Sequence, residues 1–316
     1  MKLKLFFGLM FCGLSCAWGG GSELSSGQTG YFQTPAADLF TTDNANVAAM
    51  SGLLLPGSVQ FFDGNFLTGL SYGGTALAGM ALYGHYSDKD DYFEDDDELF
   101  SDALKESYIN KTTFNADMAQ TVFLNTMFAS SYDAYKRKSR HRQFNHGVIA
   151  PGEDIKDLWQ APFKFEQLSK PSTYVPLLLF AAYVSSRDNV YAIRRSGDIS
   201  SGTLYAGNFA GNLFTGVGEE AFFRGYVNTE LSHQLGENLG LAASSVLFGA
   251  MHSGDGNQAS FGEAAVIGGY LGWLHQKNNY NLSQGVALHY WFNVIAGLAE
   301  LHHGGQVPIF QYSVEF

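Results

Sequence analysis

The stretch "GVGEEAFFRGY", residues 216–226, sets Glu219, Glu220 and Arg224 among glycines and aromatics. The residues before it, "TLYAGNFAGNLFT" (203–215), carry no charge. A periodic run over 204–231 reads as one long helix. On a helix Glu220 and Arg224 share a face and can pair. A buried arginine needs such a partner. Glu219 lies about 100° further round and need not join them. One carboxylate is then structural and the other is free for chemistry. A free carboxylate in an apolar cavity has a raised pKa, which suits a general base near neutrality. Taken alone, Glu-Glu-x-x-x-Arg also describes an ordinary ion pair on the surface of a soluble helix.

Working outward, two further pairs sit on uncharged helical stretches. Phe248 and His252 are four apart in "FGAMH", at the end of a helix over 239–252. His289 and Asn293 are four apart in "HYWFN", inside a helix over 282–301. Another helix is expected over 261–275, with Asn/Gly-rich turns between these elements. A lone histidine on an apolar helix is usually a hydrogen-bonded core residue. A His/Asn pair one turn apart on a third helix asks for more. Such helices could aim Glu219, His252, His289 and Asn293 into one cavity.

The composition fits a membrane or secreted class. Aromatics make up 15% of the 316 residues, charged residues only 15%, and glycines number 37. The formal charge of −12 excludes a nucleic-acid surface, which needs a basic stripe. Residues 1–17 read as a signal peptide: Lys2 and Lys4, a short apolar core, then Ser15 and Ala17 as a small-x-small cleavage site. An uncleaved anchor is the other reading. Gly13 stands where a lipid-attachment signal usually has leucine. The only cysteines, Cys12 and Cys16, fall in this segment, so a mature chain cut after Ala17 has no thiol chemistry.

Residues 18–47 are Gly/Ser/Thr-rich and expected to be flexible. Residues 48–142 are expected to form a two-helix membrane module. Its first helix covers 65–86, a candidate membrane span by length, with glycines suited to close packing in lipid. Its second covers 114–135 and is followed by "KRKSRHR" (136–142), a cluster that usually marks the cytoplasmic side. A cleaved signal and two spans would put that cluster outside, so one of these three readings fails or the second helix lies on the surface. The acidic run "SDKDDYFEDDDELFSDALKE" (87–106) is a solvated loop without calcium-loop spacing. "LLLPGSVQFFDG" weakly resembles the Pro-Gly-x-Gly-Gln-x-Tyr opening of a small bacterial two-helix membrane anchor, with Val59 and Phe62 departing from it. Residues 143–169 read as a linker, and "YVPLLLFAAYV" (174–184) as about half a span.

The three motifs "EEAFFR", "FGAMH" and "HYWFN", in this order on separate helices, resemble the CAAX-protease and bacteriocin-processing family of intramembrane endopeptidases. Its pattern is Glu-Glu-x-x-x-Arg, Phe-x-x-x-His and His-x-x-x-Asn. The resemblance covers residues 170–303, taken as the catalytic domain, and leaves 304–316 as a tail. It implies an all-α, multi-helix membrane bundle carrying the N-terminal helical hairpin. It implies that Glu219 and His252 hold and activate the attacking water, and that His289 and Asn293 stabilise the oxyanion. Arg224 would position Glu219 and Glu220, and Phe248 would pack beside them.

The expected activity is hydrolysis of a peptide bond in a membrane-associated peptide or protein, at a bacterial membrane, the inner one. The bilayer and a peptide substrate are the expected partners. The favoured mechanism needs no metal, although Glu219, His252 and His289 could hold zinc. The chain contains no His-Glu-x-x-His. Two rivals stand against this reading. One is an outer-membrane β-barrel pore, suggested by the alternating tail "IFQYSVEF" (309–316). The other is a non-cutting family member that serves binding or assembly.

Overall fold

The computed structural model describes residues 43–87, 107–185, 193–195, 197–252 and 261–303. The expected signal peptide, nearly all of the flexible segment, most of the acidic run and the alternating tail lie outside them. The described residues form a helical bundle. Its only strands there are β1 (Ser107–Ile109) and β2 (Ile193–Arg195), a short parallel ladder that pairs Tyr108 with Arg194. This is not the set of alternating ten-residue strands that a barrel requires, and the barrel reading is set aside.

The N-terminal part has more pieces than the expected hairpin. Helix α1 (Ala45–Leu54) starts on Asn44, whose side chain accepts from the Asn46 and Val47 amides. A short α2 (Ser58–Phe62) follows the turn at Pro56–Gly57. Then come α3 (Phe66–Ser87) and the long α4 (Lys111–Ser139). Asn110 and Thr113 cap α4 reciprocally. Buried Gln60 of α2 donates to Ser130 O and to Asp133, which ties the turn to α4.

Helix α3 has the length expected over 65–86, but no helix among the described residues is long and apolar enough to cross a membrane. Glycine, serine and threonine dilute the hydropathy of α3. Its large apolar side chains still face outward, with Leu67, Leu70, Leu77, Met80 and Leu82 exposed.

Four of the five lysines and arginines in the basic cluster are ion-paired. Lys136 pairs with Asp154, Arg137 with Asp133 at 2.8 Å, Lys138 with Asp63 at 2.8 Å, and Arg142 with Glu230 at 2.6 Å.

The stretch 143–169 frames the C-terminal helices. It contains α5 (Ile155–Gln160), a 3₁₀ turn (Ala161–Phe163) and α6 (Phe165–Leu168). Leu158 and Ala161 are fully buried against Tyr132, Val217, Ala221 and Val286. Helix α7 (Pro171–Ser185) follows. Then come α8 (Ser201–Glu219), a π-helical stretch (Glu220–Asn228) and α9 (Thr229–Leu235). The chain continues through α10 (Glu237–Met251), α11 (Phe261–Lys277) and α12 (Ser283–His303).

Glu153 accepts from the amides of Leu282 and Ser283, placing a carboxylate at the N-terminus of α12. Gln284 donates to Ser172 Oγ and Thr173 Oγ1, and Trp291 Nε1 donates to Pro162 O. Helix α12, which carries the third motif, is thus fixed from the 153–173 side.

Glu230 locks α1, α4 and α9 together. Its buried carboxylate accepts from Asn46, Tyr135, Gln234 and both terminal nitrogens of Arg142. Burial acts against its charge, but the bonds from Arg142, Asn46 and Gln234 hold its pKa below the ordinary value. Glu230→Ala is expected to cost about 3 kcal/mol in thermal or denaturant unfolding, because it strands Arg142 and Tyr135. In the parent protein this contribution is complete above the ordinary carboxylate pKa. It disappears as acid passes through the lower folded value. Unfolding midpoints of parent and variant should therefore converge at low pH.

Candidate functional site

The opening motif lies where the backbone leaves the α-helical ladder. Helix α8 ends at Glu219 and the next nine residues, Glu220–Asn228, are π-helical. The single helix expected over 204–231 is therefore three segments. Such i→i+5 segments are rare and often sit at functional sites. Aromatic packing holds this one in place. Phe222 stacks on Phe128 at 4.7 Å between centroids, and Phe223 meets Phe248 edge-on at 5.0 Å. Gly225 lets the segment lie on Tyr132, since a Cβ there would fall 2.4 Å from the ring.

The segment buries its ionic groups completely. Glu219 is 1% exposed, Glu220 0% and Arg224 2%. Arg224 Nη1 lies 2.9 Å from Glu220 Oε1, and Nη2 donates to Gly268 O of α11 at 3.2 Å. Its guanidinium also sits 4.1 Å above the Phe248 ring, a cation–π contact. The pairing of Glu220 with Arg224 expected from their spacing is present. The surface-pair alternative is not, because nothing in the pair reaches solvent.

Glu220 has a second partner. His289 Nδ1 lies 2.8 Å from Glu220 Oε1 and donates to it. Burial pushes the Glu220 pKa up, but Arg224 and the His289 bond outweigh it and hold the group below its ordinary value. Glu220 is accordingly a fixed anion that orients two other groups. The Nδ1 bond turns His289 Nε2 toward Glu219, 3.8 Å from Oε2.

His252 comes from the end of α10. Its Nδ1 lies 2.8 Å from Phe248 O. A carbonyl only accepts, so Nδ1 carries the proton and Nε2 is an acceptor. That Nε2 faces Glu219 Oε2 at 3.7 Å. Burial, helped by the positive charge of Arg224, lowers the His252 pKa to about 4. The imidazole is neutral at physiological pH.

Glu219 is the group that both imidazoles face. Burial raises its pKa to about 7, with His289 and Arg224 offsetting part of the effect. Its Oε2 has no hydrogen bond. Asn293 stands one turn beyond His289 on α12, 3% exposed, with neither Oδ1 nor Nδ2 bonded. Buried polar atoms without partners are rare and need an explanation. Separations of 3.7 and 3.8 Å are too long for direct hydrogen bonds and raise the question of a bridging water.

Five of the six residues singled out from the sequence, Glu219, Glu220, Arg224, His252 and His289, meet in one buried centre built from α8, the π-segment, α10 and α12, and Asn293 is buried one turn from His289. Two contributors were not singled out. Gly268 supplies the carbonyl that anchors Arg224, and nothing in the residue type signals that. His275 of α11 is buried, its pKa lowered to about 3 by burial, and its Nδ1 lies 3.2 Å from Asn228 Nδ2. A histidine on an apolar helix was the available signal. Among the described residues, no group of three or more His, Cys, Asp or Glu is disposed to hold a metal ion.

Residues 202–295 match the family model described as type II CAAX prenyl endopeptidase Rce1-like. The match covers less than a third of the chain and contains every one of Glu219, Glu220, Arg224, His252, His289 and Asn293. It supports the CAAX-protease family assignment made from the three motifs. No curated protein and no solved structure matches the chain.

Replacing Arg224 by methionine keeps the bulk over Phe248 and strands the Glu220 anion. Arg224→Met is expected to cost about 3–5 kcal/mol in thermal unfolding. Adding Glu220→Gln to that variant should recover part of the loss, and the double-mutant cycle measures how much.

Proposed function

We propose, taking residues 202–295 as a CAAX-protease-family segment, that this chain is an endopeptidase acting on a membrane-associated peptide or protein. The observation that carries the proposal is Glu219: a buried carboxyl with a pKa near neutrality, facing two imidazole nitrogens.

In the proposed reaction a water molecule lies between Glu219 Oε2 and His252 Nε2, donating a hydrogen bond to each. Glu219 takes one proton as the water oxygen bonds to the scissile carbonyl carbon. The charge that develops on the carbonyl oxygen is met by Asn293 Nδ2–H and by His289 Nε2–H. His289 already donates through Nδ1, so it acts here as an imidazolium, held by the Glu220 anion. The C–N bond then breaks as Glu219 passes its proton to the departing amine. Each donor to such an oxyanion contributes about 3 kcal/mol.

A membrane setting is supported by the family match and by the apolar side chains left outward on α3 and on α7, where Leu178 and Leu179 are exposed. A bacterial inner membrane and an exported or membrane-bound peptide substrate complete the reading.

The base works as a carboxylate. Its pKa is raised to about 7, so kcat/KM should rise with a slope near one below that pH. Neutral His252 should add no second limb until far more acid conditions. With detergent-solubilised protein and fluorescein-labelled β-casein, Glu219→Gln is expected to abolish cleavage with an unchanged helical circular-dichroism spectrum. Asn293→Ala is expected to lower turnover by about 10²–10³-fold. Full activity in Glu219→Gln would end the peptidase assignment.

A further inference from the structure

A second feature lies on the other side of α8 from the buried centre. A cavity of about 870 Å³ opens between α3, α4, α5 and α8. Its α8 wall is Phe214, Val217 and Gly218, so it ends one residue before Glu219. None of Glu219, Glu220, Arg224, His252, His289 and Asn293 lines it.

Its walls differ in chemistry. Helix α3, whose outward face is leucine-rich, turns Thr68, Ser71, Tyr72 and Thr75 to the cavity. These positions are one helical face, i, i+3, i+4 and i+7. Across from them, Trp159 of α5 packs edge-on against Phe214 at 4.8 Å, and both line the space with Val217. The charges at the α4 end are largely neutralised within the protein. Asp133 takes Arg137 and Gln60, and Asp154 takes Lys136, which leaves Lys156 as the lining cation without an ion pair among the described residues.

The independent observation is Asn125 of α4. It lines the cavity and is 5% exposed. Its Nδ2 is committed to Thr121 O at 2.9 Å, whereas its Oδ1 is buried beside Gly218 and has no donor. An amide oxygen left so is costly, and a ligand N–H entering the cavity would satisfy it.

We infer that this cavity holds an extended, uncleaved segment of the polypeptide substrate. An extended backbone offers alternating N–H and C=O groups. Hydroxyls can donate to or accept from either, and Asn125 Oδ1 accepts an N–H. Trp159, Phe214 and Val217 supply apolar contact for the side chains. A mostly apolar pocket with a few fixed polar groups, a few hundred Å³ in size, is the ordinary form of a recognition site. Mutual neutralisation of the charges favours a neutral chain over a phosphate-bearing ligand. Contacts remote from the scissile bond provide binding energy for orientation at the reacting centre. The inference rests on the peptidase reading.

The test is binding of fluorescein-labelled β-casein, a disordered polypeptide, to the full detergent-solubilised chain by anisotropy. The Glu219→Gln background keeps cleavage from consuming the probe. Saturable binding is expected, weakened at least tenfold by Asn125→Leu and at least threefold by Ser71→Ala on the opposite wall. Ser71 is solvent-facing, so its variant remains informative if Asn125→Leu does not fold. In the cleaving protein the same changes should raise KM with kcat nearly constant. Absence of binding, or binding indifferent to both walls, overturns the cavity assignment. The two readings fail separately. Weakened binding together with full cleavage by Glu219→Gln would retain the cavity and remove the peptidase. Glu219-dependent cleavage with indifferent walls would do the reverse.

Discussion

The arrangement depends on keeping Glu220 ionised where water does not reach. A carboxylate moved into the interior loses its hydration, and only good partners repay that loss. Here Arg224 and His289 meet the same Oε1 atom, at 2.9 and 2.8 Å. The pair does more than neutralise itself. By binding His289 through Nδ1 it fixes the ring and directs Nε2 at Glu219. By holding Arg224 against Gly268 O and the Phe248 ring, it ties the π-segment to α10 and α11. Three motifs far apart in sequence become one object through a single anion.

The same anion separates the two glutamates chemically. They are adjacent in sequence and equally buried, yet their acidities move in opposite directions. Glu220 sits against the cation and drops below its ordinary value, while burial dominates at Glu219 and carries it to about 7. Titratable groups pushed apart by their surroundings are how one site assigns fixed charge and proton carrier. The backbone supports this division. The change from α to π geometry falls between Glu219 and Glu220, so the neighbours leave the helix toward different partners.

Precision at the centre is supplied from outside it. Helix α12 carries His289 and Asn293 and is held by Glu153 at its N-terminus, by Gln284 to the start of α7, and by Trp291 to Pro162. Glu230 does the equivalent at the other end, closing α1, α4 and α9 around five hydrogen bonds. Apart from Gln234, one turn from Glu230, the partners of the clamps Glu153 and Glu230 lie 88 to 184 residues away. The basic run 136–142 likewise finds acids elsewhere in the fold. Its acids, Asp63, Asp154 and Glu230, cannot be assigned to it without the fold.

The sequence by itself determined the helical class of the C-terminal half, the pairing of Glu220 with Arg224, and which side chains deserved scrutiny. Those features are local: helical spacing and the strangeness of charge in an apolar run are visible within a dozen residues. Tertiary structure decided the rest. That Glu219 rather than Glu220 has the raised pKa depends on Arg224 and His289 sharing one oxygen. That His252 is an acceptor at Nε2 depends on the Phe248 carbonyl at the end of α10. The π-helical turn, the Gly268 anchor, His275 and the cavity beside Gly218 leave no periodic trace, because each arises where elements meet. Hydropathy over 65–86 suggested a membrane span, and α3 has that length, but its glycines and hydroxyls keep it below the apolarity of a crossing helix. What those hydroxyls face was a matter for the packing of α3 on α4, which no pattern along one helix can specify.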